Sequence, residues 1–161
     1  MGKATLVIQE NDLFVKIETL SIGLPKKEML NGKEVVTGIC KSPVSGHLHL
    51  GKLGFDGDGV GDLWYHGGPS KAVCVYSYDH YLYWENLLGT KLPIPAFGEN
   101  LTVSGLQEDD ICIGDIFYVG TAVVQVSQPR QPCNTLAARH GRNDMVQLVK
   151  DSGYTGFYLR V

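Results

Sequence analysis

The residues with most chemistry to offer stand late in the chain, in Ser127-Gln128-Pro129-Arg130-Gln131-Pro132-Cys133. Two prolines frame an arginine, and a cysteine follows the second. Each proline fixes its own φ and lacks an N–H, so a strand predicted over residues 122–126 should end here. Cys133 then opens a predicted helix over 133–140. A helix N-terminus and a nearby cation such as Arg130 both favour a thiolate. A thiolate is what a soft metal or a sulfur-transfer reaction requires. The competing reading is a small buried hydrophobe, the common fate of a free cysteine.

The other cysteines are Cys40, Cys74 and Cys112, and no Cys-x-x-Cys occurs. That spacing argues against a zinc ribbon or a thioredoxin-type site. Each of the three lies in an apolar, strand-like run and reads as a core thiol. Asp56-Gly57-Asp58-Gly59 hints at a calcium loop, but the further ligands at fixed offsets are missing. No Gly-x-Gly-x-x-Gly follows a strand, so a bound nicotinamide or flavin is not expected.

These groups need a frame. A chain of 161 residues fits one domain and can bury a core without staples. Its net charge of −3, with no long Lys/Arg run, argues against general nucleic-acid binding. No apolar run approaches the roughly 20 residues needed to span a bilayer. The opening apolar piece is too short for a signal peptide, so a cytoplasmic location is the expectation. Twenty glycines and seven prolines punctuate β-branched runs, which is the composition of a β-rich domain with many turns.

In order, residues 5–9 and 13–20 predict a hairpin, with 1–22 as an extra N-terminal element. Residues 26–30 and 33–40 predict a second hairpin about Asn31-Gly32, where both turn positions favour positive φ. The glycine-rich stretch 41–68 is the least regular part, and such a loop is usually functional or mobile. A strand over 71–76 leads to a helix capped by Ser77. That helix carries Tyr81, Trp84, Leu87 and Leu88 on one stripe and ends at Gly89. Strands follow at 101–103, at 111–113 running on to 116–119, and at 122–126. Helices over 133–140 and 143–150 flank Gly141, and 156–161 is the last strand. Closely spaced strands with tight turns predict a barrel or closed sheet.

Five motifs occur together in one known family. They are His66-Gly67-Gly68-Pro69, Phe97-Gly98-Glu99-Asn100, Ile113-Gly114-Asp115, Gln128 through Cys133, and Thr155-Gly156-Phe157-Tyr158. In this combination and order the chain, from about residue 23 to 161, resembles a MOSC domain. The name denotes the C-terminal domain of molybdenum cofactor sulfurase. It is most similar to the stand-alone bacterial YiiM type, although the helical extension of that type is not expected after Val161. The resemblance implies a mainly β fold, a single closed β-barrel domain over 1–161 with a few short helices at its rim.

The resemblance also implies binding of the molybdenum cofactor (Mo-molybdopterin), with Cys133 as the molybdenum ligand. Relatives reduce N-hydroxylated compounds such as hydroxylaminopurine bases and amidoximes, and the family carries an association with pyridoxal phosphate. The cofactor ends in a phosphate, which Arg130 and then Lys41 and Lys71 would hold. His66 would donate to a bound oxygen or pass a proton, with Gly67 and Gly68 letting backbone approach the ligand. Asn100 would bind a pterin edge or, with Glu99, brace the barrel rim. Arg130 could instead pair with Asp115 or Glu99, and Asp56 and Asp58 could merely cap turns. The first expectation is therefore a reductase served by a separate flavin or iron–sulfur electron donor. A sulfur carrier holding a persulfide on Cys133 and a non-catalytic cofactor- or anion-binding module are the alternatives. A small-molecule substrate is expected, no membrane partner is, and a homodimer stays open.

Overall fold

The computed structural model describes residues 5–8 and 14–161. Twelve strands and four short α-helices are assigned among them. The β-rich, turn-dense reading therefore holds.

Seven strands form one curled sheet. They are β1 (Thr5–Ile8), β2 (Phe14–Ile22), β8 (Val73–Ser77), β9 (Leu101–Ser104), β10 (Ile116–Val119), β11 (Ala122–Pro129) and β12 (Phe157–Arg160). Their order is β1-β10-β11-β12-β8-β9-β2, and β1 also pairs with β2, so the ring closes through β1. Closure removes the exposed sheet edges that an open sheet would leave. The first expected hairpin is thus present as a strand pair, whereas its connecting turn lies outside the described residues. All pairings in the ring are antiparallel except β8 with β9. A further strand, β5 (Ser42–Val44), pairs with the far end of β2.

Alternation decides which side chains the barrel encloses. Val73 and Val75 of β8, Phe157 and Leu159 of β12, and Val124 and Val126 of β11 join the core inside the ring. The intervening residues of β8 and β12, Cys74, Tyr76 and Tyr158, therefore sit on the outer face. Tyr76 enters a second apolar cluster with Tyr81, Trp84, Phe97, Leu136 and Met145. That cluster joins the barrel wall to α2 (Tyr81–Leu88), α3 (Asn134–His140) and α4 (Met145–Ser152).

The helix ends follow the expected chemistry. Gly89 and Gly141 adopt left-handed conformations and terminate α2 and α3. Two details differ from expectation. Ser77 makes no side-chain cap bond, and Asp79 in the following turn instead accepts from Gly105 N. Leu87 is exposed rather than packed, while Tyr81, Trp84 and the partly buried Leu88 of α2 face the wall.

The hairpin β3 (Lys26–Leu30) and β4 (Lys33–Thr37) turns at Asn31 and Gly32, both at positive φ as predicted. β4 ends at Thr37, short of the expected residue 40. Beyond it the chain presses backbone against backbone. A Cβ on Gly38 would meet Gly59 O at 2.2 Å, and one on Gly61 would meet Val36 O at 2.3 Å. Residues 59–61 are thereby seated on the end of the hairpin. Asp58 fixes the same segment, accepting from Gly23 N at 2.9 Å and Lys41 Nζ at 2.6 Å. The glycine-rich stretch is held here by direct packing.

Three strand expectations are corrected. Cys112 is exposed, and residues 111–113 are not a strand. Cys40 is half-buried beyond the end of β4, so of the three thiols expected in the core only Cys74 is buried. β11 runs on to Pro129 instead of stopping at 126, pairing Pro129 with Phe157 past a bulge between Val126 and Gln128. β10 accompanies β11 only as far as Gln125, so at Pro129 that edge has no ladder bond to lose.

Gly38→Ala tests the seating of this segment. The added methyl has no room against Gly59 O. Thermal unfolding should report a loss of about 1–3 kcal/mol, the usual cost of overpacking. A loss below a few tenths would mean that the contact relaxes freely.

Candidate functional site

A cavity of about 430 Å³ lies against the outer face of the barrel. Its lining draws on separate parts of the chain. Cys74 and Tyr158 come from the barrel wall, and Arg130, Cys133 and Thr135 from the end of β11 and the start of α3. His66, Gly67, Gly68 and Lys71 come from α1 (Leu63–His66) and the turn after it. Lys41, Asp58 and Asn100 complete the polar wall, and Val36, Leu53 and Leu63 contribute apolar surface. All eight site residues singled out from the sequence thus line one cavity. Cys74, Asp58, Tyr158 and the apolar group were not singled out.

Cys133 is the N-cap of α3, with extended backbone (φ −127°, ψ 167°). Burial pushes its thiol up, but a hydrogen bond with His66, the Leu136 N–H and the charges of His66 and Arg130 outweigh it. The thiol is pushed down to about 7, from an ordinary 9.0. Cys74, in the same cavity, goes the other way. Burial raises its thiol despite Arg130, so Cys74 stays protonated. One cavity therefore holds a readily ionised thiol and an inert one.

Arg130 is only 7% exposed, and its Nη1 is buried with no hydrogen-bond partner among the described residues. Its backbone N donates to Gly156 O at 3.0 Å, which fixes the residue at the end of β11. Burial opposes the guanidinium charge, yet nearby Cys74, Tyr158, Cys133 and Glu99 outweigh it and hold the group firmly protonated. No ion pair joins Arg130 to Asp115 or Glu99 among the described residues. Glu99 is fully occupied elsewhere, accepting from Phe97 N at 2.9 Å, from Thr102 Oγ1 at 3.0 Å and from the Tyr81 hydroxyl.

His66 is placed by local structure. Asp62 caps α1 by accepting from Trp64 N and Tyr65 N, at 3.0 and 3.1 Å. Gly67 closes the helix so tightly that a Cβ there would lie 2.5 Å from Leu63 O. Gly68 takes φ +98° with open space around its Cα, a conformation that side chains disfavour. The lysines are less free than the sequence implied. Lys41 Nζ pairs with Asp58 at 2.6 Å, both side chains nearly buried, and Lys71 Nζ donates to Tyr65 O. Asn100 accepts from Cys74 N at 3.0 Å and donates to Asp58 Oδ2 at 2.8 Å and Ser21 O at 3.2 Å. Its carboxamide is spent on bracing strands and loop.

The arrangement can bind an anion through Arg130 and a soft electrophile or metal through Cys133. No group of three or more His, Cys, Asp or Glu among the described residues could hold a metal ion by itself. A metal at Cys133 would therefore arrive with donors of its own.

A MOSC domain model matches residues 62–161. YflK, an uncharacterized protein of Bacillus subtilis, is 52% identical over 143 residues, which cover 89% of this chain and 65% of that protein. A protein of Gibberella moniliformis named as a reductase is 34% identical over 143 residues, covering 86% of this chain and 25% of that one. The crystal structure of YiiM from Geobacillus stearothermophilus superposes with a TM-score of 0.72 at 41% identity, covering 91% of this chain and 67% of that one. The chain thus spans about two thirds of the length of YflK and of that YiiM.

The thiol can be tested directly. In the metal-free protein, the rate of Cys133 alkylation by iodoacetamide should follow a midpoint near pH 7. His66→Ala removes the largest stabiliser of the thiolate and leaves the burial, so the midpoint should move up. An unmoved midpoint would show that His66 does not activate the thiol.

Proposed function

The chain belongs to the MOSC domain family, and on that premise we propose that it binds the molybdenum cofactor and reduces N-hydroxylated compounds. The observation that carries this reading is the unpartnered Nη1 of buried Arg130, in the same cavity as a thiol of pKa about 7. A buried guanidinium nitrogen with no acceptor is costly, and an anionic ligand would supply one. A thiol half-ionised at neutral pH is ready to serve as a soft donor. The residues fit a ligand that is both anionic and metal-bearing.

When bound, the cofactor supplies two-electron redox chemistry. The rest falls to this chain's side chains. Cys133 Sγ provides the protein thiolate. Arg130 compensates negative charge on the ligand. His66, lining the same cavity, favours the thiolate and is placed to pass a proton. Val36, Leu53 and Leu63 give an apolar substrate body a surface to lie on, while the polar wall takes its head. Electrons come from a separate flavin or iron–sulfur protein. The reductase name of the Gibberella moniliformis relative supports that direction of chemistry. A pyridoxal phosphate role finds less support, because Lys41 and Lys71, the cavity's lysines, are both engaged.

Metal analysis tests the reading. Protein from a cofactor-competent host should carry about one molybdenum per chain, and Cys133→Ser should lose most of it, with turnover of a hydroxylaminopurine falling in step. Full molybdenum and activity in that variant would contradict the assignment. Metal-free protein with cyanide-releasable sulfur on Cys133 would favour a persulfide carrier instead.

A further inference from the structure

Tyr158 lines the same cavity as Cys133. It belongs to β12, directly opposite Cys74 of β8, and the pair forms part of the cavity wall. Neighbouring side chains across an antiparallel ladder share a face, so the phenol and the Cys74 thiol project together. The phenol shares the cavity with Cys74, Arg130 and Cys133. Burial raises its pKa, and it stays protonated. Tyr158 is 8% exposed, and its hydroxyl has no hydrogen-bond partner among the described residues.

That last point sets it apart from the other buried tyrosines. Tyr76 donates to Tyr154 O at 2.9 Å, and Tyr81 donates to Glu99. The Tyr158 hydroxyl opens to the cavity, whereas the Arg130 Nη1 is fully buried. Here two donors, the phenol and the Arg130 Nη1, line the same cavity as Cys133 and lack protein acceptors. Donors left open in this way are suited to an oxygen that arrives with a ligand.

We propose that Tyr158 is a further catalytic residue, its phenol donating a hydrogen bond to the N-bound oxygen of a substrate lying against Cys133. The inference rests on the reductase reading. In that reaction the N–O bond breaks, and the nitrogen gains two electrons from the flavin or iron–sulfur donor. Two protons from solvent complete the amine and one water. Tyr158 stays protonated throughout and stabilises charge growing on the departing oxygen. It also selects for that oxygen, since an analogue lacking it leaves the phenol unpaired.

Tyr158→Phe removes the hydroxyl without breaking a bond within the protein. In the molybdenum-loaded protein with reduced methyl viologen as electron source, kcat for benzamidoxime should fall on the order of 100-fold, the scale of losing one such donor. Molybdenum content and the alkylation midpoint of Cys133 should not change. A second readout needs no metal. In the metal-free parent protein, benzamidoxime should shield Cys133 from iodoacetamide at lower concentration than benzamidine, which lacks the oxygen. In Tyr158→Phe the advantage of benzamidoxime should shrink, leaving only the part due to the positive charge of benzamidine beside Arg130. If the variant keeps both its turnover and its full preference for the oxygen-bearing compound, or if the parent shows no preference, the proposal is overturned. Parent protein that prefers the oxime yet never turns it over would refute the reductase reading and leave the phenol's contact standing.

Discussion

The structure turns on one buried charge. Arg130 is held by its backbone at the end of β11, and its guanidinium has no ion-pair partner among the described residues. Isolated burial of such a group is expensive. The carboxylate best placed to cancel it, Glu99, is committed to Phe97 N, Thr102 Oγ1 and the Tyr81 hydroxyl. What remains near the cation is a set of groups with dissociable protons, Cys133, Cys74 and Tyr158. Of these, the one joined to His66 gives up its proton most readily. The charge and the thiolate are thus two parts of one electrostatic arrangement.

The barrel makes this possible by turning the site outward. Its interior is filled with Val, Leu and Phe, as in other small barrels whose lumen is a packed core. The alternate residues of β8 and β12 then face a space enclosed by α1, α3 and the segment seated on the β3–β4 hairpin. Asp58 links that segment to the barrel wall, touching Lys41, Gly23 and Asn100 at once. The pair of Lys41 with Asp58 is therefore better understood as a clamp on the cavity wall than as a phosphate anchor. Breaking such a buried pair from one side is strongly unfavourable.

Much of this was legible in the sequence, and unevenly. Asn31-Gly32, Gly89 and Gly141 were readable because the chemistry of a turn or a helix end is local. Cys133 stood out because no strand-like run surrounds it, and His66 because two glycines follow it. Cys112 and Cys40 were misjudged for the converse reason: an apolar run resembles a strand whether or not a partner strand pairs with it. The extension of β11 through Pro129 depends on where β10 stops, which only the register reveals. Tyr158 and Cys74 were hidden by the same difficulty, since a one-residue shift would have turned both into the core. Asp58 reads locally as a turn residue, and its partners lie 17 to 42 positions away.

The central claim is that the Cys133 sulfur and an anionic, metal-bearing ligand meet in this cavity. X-ray absorption at the molybdenum edge tests it most directly, on loaded protein in which Cys133 is replaced by selenocysteine. The account predicts a selenium scatterer in the metal's first shell, beside the sulfurs that the cofactor brings. A molybdenum centre with the same sulfur environment in both proteins, and no selenium neighbour, would contradict it.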